Sequence, residues 1–315
     1  MNSHLPVMLD RVRALLFPAL EVDGAVLIDA TVGRAGHAGA LLADHPGLTL
    51  IGIDADQAAI DECTRLLAAD MHRVTLVRAR YDQIPAILAD LGCPLVRGVL
   101  FDLGVSSPQL DDPARGFSYS VDAPLDMRMD RGQPLTAADV VNTYPARRLA
   151  RVLREYGEER FAARIADAVV RERAKEPVTS SARLAEIVRA AIPAATRRSG
   201  GHPAKRTFQA LRIEVNDELG TLERAMPAAL DAVGVGGRIV ALAYHSLEDR
   251  IVKRELALRS SDRTPQGMPV PLASHRPEFR LLTSGAERPS GAEIAANPRA
   301  ASARLRAAER VRAAA

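Results

Sequence analysis

The 315-residue chain has no tryptophan, and only 3% of its residues are aromatic. It therefore lacks the rows of rings on which many successive single-stranded bases stack. It has two cysteines, Cys63 and Cys93. They fall in different expected elements, and neither has a partner at C-x-x-C spacing. That argues against zinc and for free thiols in a reducing cytosol. No apolar run reaches ~18 residues, and the start has neither the basic segment nor the apolar core of a secretory signal. A soluble, cytoplasmic protein without a membrane partner is expected. An excess of one charge is also missing: 42 Lys and Arg stand against 39 Asp and Glu, a net +3. That balance permits a nucleic-acid partner without demanding one. Finally, there is no G-x-G-x-x-G. Gly33-Arg34-Ala35-Gly36 has another spacing, which argues against a nicotinamide-dependent oxidoreductase.

What is present is 47% apolar residues, enough for a sizeable core and for two domains. The organising stretch is Val26 to Asp54. Val26, Leu27 and Ile28 form a short apolar strand ending on Asp29. Gly33, Gly36 and Gly39 follow, then a small helix to Ala43. A second apolar strand, Leu48 to Ile53, ends on Asp54. Strands this apolar suit a parallel sheet covered on both faces. Glycines at a strand's carboxyl end let backbone approach a ligand, and an acid after the second strand suits a ribose diol. A tight turn that merely needs glycine is the blander alternative.

Further along, residues 4–20 read as an arm and helix, Asp56 to Asp70 and Pro85 to Leu91 as helices, and Val74 to Val77 and Val96 to Asp102 as strands. Alternation of strand and helix means a doubly wound α/β sheet. The rhythm breaks over residues 103–145, which carry turn chemistry too long for a plain connection. A helical period follows from Pro145, with the stripe Phe208 to Leu230 expected as one helix kinked or split at Pro227. Sheet signals return at Gly236 to Tyr244. A helix then opens after His245, with Ser246 and Asp249 spaced as a capping box. Phe279 to Thr283 is expected as a last strand, and the Ala/Arg-rich tail after Arg304 as frayed.

Several clusters have the residue types for chemistry. Asp102, Ser106 and Ser107 follow the fourth strand, where acceptors would draw protons from an exocyclic amine such as cytosine N4. They are equally the residues of an Asx or Ser turn. His245 follows the fifth strand on the same edge and is read as a proton acceptor, a phosphate contact or a cap. Asp111, Asp112, Asp126 and Asp130 are spaced as a Mg²⁺ cluster, but arginines among them favour solvated or paired carboxylates, and no metal is expected. Arg147, Arg151 and Arg154 share a helical face suited to phosphate tracking, with Arg197, Arg198, Lys205 and Arg206 in a later basic stretch. Phe117 and Tyr119 either stack a flipped base or anchor the long loop.

These motifs resemble those of the bacterial 16S ribosomal RNA cytosine-N4 methyltransferase family over nearly the whole chain. The likeness rests on Asp29-Ala-Thr-Val-Gly-Arg-Ala-Gly-His37, Asp102-Leu-Gly-Val-Ser-Ser-Pro-Gln-Leu-Asp-Asp112, Arg115-Gly-Phe-Ser and Pro124-Leu-Asp-Met-Arg-Met-Asp130. It continues in Tyr156-Gly-Glu-Glu-Arg-Phe161, Arg206-Thr-Phe-Gln-Ala-Leu-Arg-Ile213, Tyr244-His-Ser-Leu-Glu-Asp-Arg250 and Asn297-Pro-Arg299. The resemblance implies a Rossmann-like, S-adenosylmethionine-dependent methyltransferase fold with an inserted α-helical domain. Residues 1–109 would form its first part, 110–215 the inserted substrate-recognition domain, and 216–315 the second part with a flexible tail. It implies N4-methylation of a cytosine in the decoding region of 16S rRNA, with the small ribosomal subunit as substrate. Oligomeric state stays open between monomer and homodimer.

Carried over by position, the resemblance implies cofactor contacts at Ala35, Gly36, His37, Asp54, Tyr81, Asp102 and Gln109, with Asp102, Ser106 and His245 as catalytic candidates. Ala35 stands where the family usually has glycine, a methyl that is tolerated if φ is negative. Ala301 replaces a family arginine. The rivals are a methyltransferase acting on another RNA or DNA site and a ribosome-assembly factor without turnover.

Overall fold

Alternation along each strand decides the layers. Leu27, Leu50, Leu100, Val240 and Leu242 point to one face of the sheet, and Ile28, Ile51, Val99, Phe101, Ile239 and Ala241 to the other. Both sets are buried, so both faces need a helical cover. The computed structural model describes residues 6–105, 109–110, 112–194, 202–265, 272 and 275–313. The chain divides into two compact units: Met1–Gly104 with Leu219–Ala315, and Val105–Glu218.

The first unit holds the strands β1 (Val26–Asp29), β2 (Thr49–Asp54), β3 (Val74–Arg78), β4 (Val96–Asp102), β5 (Val233–Ala243), β6 (Phe279–Leu281) and β7 (Arg304–Arg310). Their order is β3-β2-β1-β4-β5-β7-β6. The β1–β5 neighbours pair parallel, whereas β7 runs antiparallel to both β5 and β6. One face is covered by α1 (Leu9–Leu20), α2 (Gly36–Asp44) and α3 (Gln57–Leu66), whose Leu16, Leu41 and Cys63 join its core. The other is covered by α4 (Ile84–Asp90) and by two later helices through Leu222, Met226 and Ile251. Each large side chain so buried contributes about 1.5–3 kcal/mol. The chain passes from β1 outward to β2 and β3, then crosses back to β4. β1 and β4 therefore diverge at a topological switch point, where open α/β sheets leave a crevice at their carboxyl ends.

Three expectations are corrected here. The segment after Arg304 is not frayed: it forms β7, with Leu305, Ala307 and Ala308 buried against β5. Arginine-alanine alternation carries little hydrophobic signal, but small side chains fit under the covering helix. Arg310, 4% exposed, also donates to the carbonyls of Leu230, Asp231 and Val233. The Phe208–Leu230 stripe is two helices, and the break is not at Pro227. It falls at Asp217, whose left-handed φ of 48° ends the first of them, while Pro227 lies inside the second. The expected helix from Asp56 to Asp70 stops as α at Leu66 and continues as 3₁₀ turns through Arg73.

The second unit is helical. It contains α5 (Ala137–Thr143), α6 (Ala146–Gly157), α7 (Ala162–Arg173), α8 (Ser181–Ala191) and α9 (Lys205–Asn216). Leu149, Leu153, Ile165, Val169, Leu184, Val188, Phe208 and Leu211 meet in one core, which also takes in Phe117, Leu125 and Met127 of the preceding loop. Thr136 and Asp139 cap α5 reciprocally. Gly157 lets α6 and α9 approach closely: a Cβ there would sit 2.6 Å from the Arg206 carbonyl oxygen. The helix after Asp217, α10 (Glu218–Ala232), leads back into the sheet. α11 (Ser246–Ser260) and the short α12 (Gly291–Ala296) complete the helices.

Candidate active site

β1 and β4 end on acids at the switch point, and β2 ends on a third. Asp29 is 2% exposed and accepts from the Thr31 amide at 3.1 Å. The Thr31 hydroxyl in turn accepts from the Asp102 amide at 2.7 Å, tying the two strand ends together. Asp54 accepts from the Gly33 amide at 3.1 Å and the Asp56 amide at 2.9 Å. The loop between β1 and α2 is anchored from both sides, by Ala30 N–H to Leu100 O and Val32 N–H to Ile53 O, each 2.9 Å.

Burial raises all three carboxyls because it disfavours the charged form. Asp29 is pushed up to about 7, chiefly by desolvation and further by the charges of Asp102 and Asp54. Asp54 is pushed up to about 6, again by burial first. Asp102 is raised by burial, against the opposing pull of His37 and the Tyr244 hydroxyl. The acids thus feel one another on one edge. Such a set suits a ligand that brings positive charge and hydroxyl donors.

Asp102 has two side-chain partners. The Tyr244 hydroxyl donates to Oδ1 at 2.7 Å, and His37 Nδ1 lies 3.5 Å from Oδ2. His37 Nε2 faces the Val7 carbonyl oxygen at 3.0 Å, so that nitrogen carries a hydrogen. Attraction between Nδ1 and Oδ2 then requires a second proton on one of them. Tyr244 belongs to a motif that carries the family resemblance, but it is not among the expected site residues. A tyrosine at a strand's end gives no local sign that its hydroxyl reaches across to the neighbouring strand. Thr31 was missed for the same reason.

The other candidates fall as follows. Gly36 begins α2, and a Cβ there would sit 2.6 Å from Pro6 Cγ, so the position admits only glycine without a shift. Tyr81 follows β3 and packs edge-on against Phe101 at 5.6 Å. Gln109 is buried in the second unit. Ser106, Ser107, Asp111, Arg197 and Arg198 lie outside the described residues. His245 is itself the N-cap of α11, its ring accepting from the Glu248 amide, while Glu248 accepts from the amides of Tyr244 and His245. This corrects the expected Ser246–Asp249 box by one residue. Asp249 serves elsewhere, bridging Arg304 and Arg306 of β7. In the loop, Asp112 caps the Ala114 amide, Asp126 pairs with Arg128 at 2.8 Å, and Asp130 accepts from Gly132.

Ala35 does not meet the condition of a negative φ. It is the N-cap of α2 at φ 55°, ψ 23°. A left-handed alanine costs roughly 1–2 kcal/mol, against ~0.8 kcal/mol for the buried methyl that glycine would forfeit. Ala35→Gly should therefore raise unfolding free energy by up to about 1 kcal/mol. Urea denaturation showing a loss of stability would refute this balance.

An acid-lined switch point on this sheet, with an antiparallel strand beside β5, defines a Rossmann-like methyltransferase. The chain belongs to the MraW methylase family, whose profile matches residues 1–311. It is 64% identical over 310 residues to the ribosomal RNA small subunit methyltransferase H of Thermobifida fusca, covering 98% of this chain and 94% of that one. It is 62% identical over 311 residues to the protein of the same name from Saccharopolyspora erythraea, covering 99% and 94%. No described helix is long and apolar enough to cross a membrane.

Proposed function

We propose that this chain transfers a methyl group from S-adenosylmethionine to N4 of a cytosine in the decoding region of 16S rRNA. The substrate is the small ribosomal subunit, met in the cytoplasm. The observation that carries the reading is the convergence of Asp29, Asp54 and Asp102, all raised by burial, on one sheet edge. The relatives' names supply the substrate class. A factor without turnover gains nothing from three neighbouring acids whose charged forms are disfavoured.

The donor set fits the cofactor, which when bound would supply an electrophilic methyl on a sulfonium centre, the S–C bond breaking to leave a neutral thioether. Asp54 would accept from the ribose hydroxyls, and Gly36 and Ala35 would line the backbone approach. Tyr81 would pack near the adenine. The chain's own chemistry is proton acceptance. N4 gains a carbon and must lose a proton, and Asp102 would take it as the new N–C bond forms. Tyr244 and His37 position that carboxylate. Ser106 would assist as an acceptor, and His245 would act through the strand end that it caps.

Nucleoside mass spectrometry of small subunits incubated with the protein and cofactor tests the substrate. A methyl group on another base, or on DNA instead, would redirect the reading. Asp54→Ala should weaken cofactor binding by about 1.5–3 kcal/mol, roughly 10–150-fold. Unchanged affinity by calorimetry would remove Asp54 from the site.

The helical unit would recognise the RNA. Arg147, Arg151 and Arg154 are exposed along α6, and none has an ion-pair partner among the described residues. Reversing all three to Glu should weaken small-subunit binding, by more than roughly tenfold at low salt and less as salt rises. Cofactor affinity should stay at the parent value. Equal subunit binding across a salt series would make this a plain solvated face.

A further inference from the structure

The chain is poor in aromatic rings, yet three of them form a column in the helical unit. Phe208 of α9 is buried in the core of that unit, 4% exposed. Tyr119 meets it edge-on at 5.7 Å, with the rings at 83°. His202 lies over Tyr119 almost in parallel, with centroids 4.4 Å apart and planes at 14°. His202 is exposed, and no second ring covers it among the described residues. Its ring is also fixed in place, because the Ala204 amide donates to Nδ1 at 3.2 Å. That bond makes Nδ1 the acceptor and leaves a hydrogen on Nε2, pointing away from the backbone.

The column is thus rigid at its base, locked at its top and, among the described residues, open at its end. Cover for Tyr119 alone needs no aromatic ring, since a leucine would exclude water as well. A flat, pre-positioned ring face has a further use, because every nucleobase has a π-face and stacks without regard to sequence. Cations stand beside it. Lys205 and Arg206 begin α9 three and four residues on, both exposed, and Lys205 has no ion-pair partner among the described residues. Arg206 donates to the Glu158 carbonyl at 3.4 Å. One ring with adjacent positive charge matches one unpaired base and its flanking phosphates, not a long strand.

We propose that His202, backed by Tyr119 and Phe208, is a stacking platform for one unpaired nucleobase of the RNA, with Lys205 beside its phosphate. The proposal rests on the RNA reading above and adds a contact to it.

The absence of tryptophan from the chain makes the test direct. His202→Trp introduces a single fluorophore at the platform. Titration with a short cytidine-containing single-stranded RNA should quench its emission saturably. An abasic strand of the same length should bind without quenching. In the unlabelled series, His202→Leu keeps an apolar cover on Tyr119 but removes the π-face, and it should weaken oligonucleotide binding roughly tenfold. His202→Phe restores a π-face and should bind within about twofold of the parent. Equal affinity of the Leu and Phe variants, or tryptophan emission unmoved at saturating RNA, overturns the platform. Cofactor affinity separates failure of the platform from failure of the functional reading. A parent chain that binds no cofactor and methylates no rRNA sinks the functional reading. A parent that methylates normally while the Leu and Phe variants bind alike sinks the platform alone.

Discussion

Replacing Asp102 by Asn should lower single-turnover methylation of small subunits by about 10²–10⁴-fold, the span of a lost general base. The substitution keeps the shape of the side chain and an oxygen for the Tyr244 hydroxyl, which sits 2.7 Å away. Its backbone amide still reaches the Thr31 hydroxyl. What it removes is the charge and the capacity to take a proton. A smaller loss of cofactor affinity should accompany the change, because one of three neighbouring negative charges is gone. Tyr244→Phe gives the matching test of position. The tyrosine's hydrogen bond holds the Asp102 carboxyl down against the upward push of burial. Without it the carboxyl rises further, so the acidic limb of the pH–rate profile should move to higher pH. A parent-like rate in Asp102→Asn would eliminate this carboxylate as the acceptor, leaving Ser106 or solvent. A parent-like profile in Tyr244→Phe would make that hydroxyl a packing detail.

The alternating half of the molecule was readable because its physics is local. Apolar runs ending on Asp29, Asp54 and Asp102 announce buried parallel strands, and the glycine loop announces a close backbone approach. The methyltransferase class was legible only through the resemblance, since neither spacing nor composition distinguishes one adenosine-type ligand from another. What escaped was set by distant partners. β7 carries arginine and alanine, a pattern with no helical or strand signature of its own. It is a strand because β5 presents an unpaired edge beneath α11. The break at Asp217 needed a left-handed residue, which aspartate tolerates, whereas Pro227 sits in its helix without ending it. His245 outcompeted Ser246 as cap because Glu248, not Asp249, reaches back to the amides before the helix. Asp249 is already held by Arg304 and Arg306. At Ala35 the loop, anchored to β2 and β4 through the amides of Val32 and Ala30, holds an alanine in the left-handed turn.

Stability without cofactor should fall as pH rises from about 4 to about 7, and cofactor should reverse the trend. The sign follows from the acids of the site. Asp29 titrates near 7 and Asp54 near 6 when folded, against roughly 3.9 in an unfolded chain. Between those values the folded state binds more protons than the unfolded state, so stability declines with pH. Below the unfolded value both states are protonated and no penalty remains; above the folded value the penalty is complete. For Asp29 the shift of about three units corresponds to about 4 kcal/mol, taken as an order of magnitude. Asp29→Asn keeps an acceptor for the Thr31 amide and cannot ionise. It should be the more stable protein at pH 8, by about 2–4 kcal/mol, and nearly equal to the parent at pH 4. S-adenosylmethionine brings a sulfonium and an ammonium against one carboxylate, and so favours the ionised acids. Its affinity for the parent should therefore rise between pH 5 and pH 8, and the rise should be shallower in Asp29→Asn. Urea unfolding of both proteins at pH 5.5 and 8, with and without cofactor, reads all of this in one set of curves. Parallel pH dependence in the parent and Asp29→Asn would show that Asp29 is not held neutral by its burial. The pH dependence of stability and of cofactor affinity would then have to come from Asp54 and Asp102 alone.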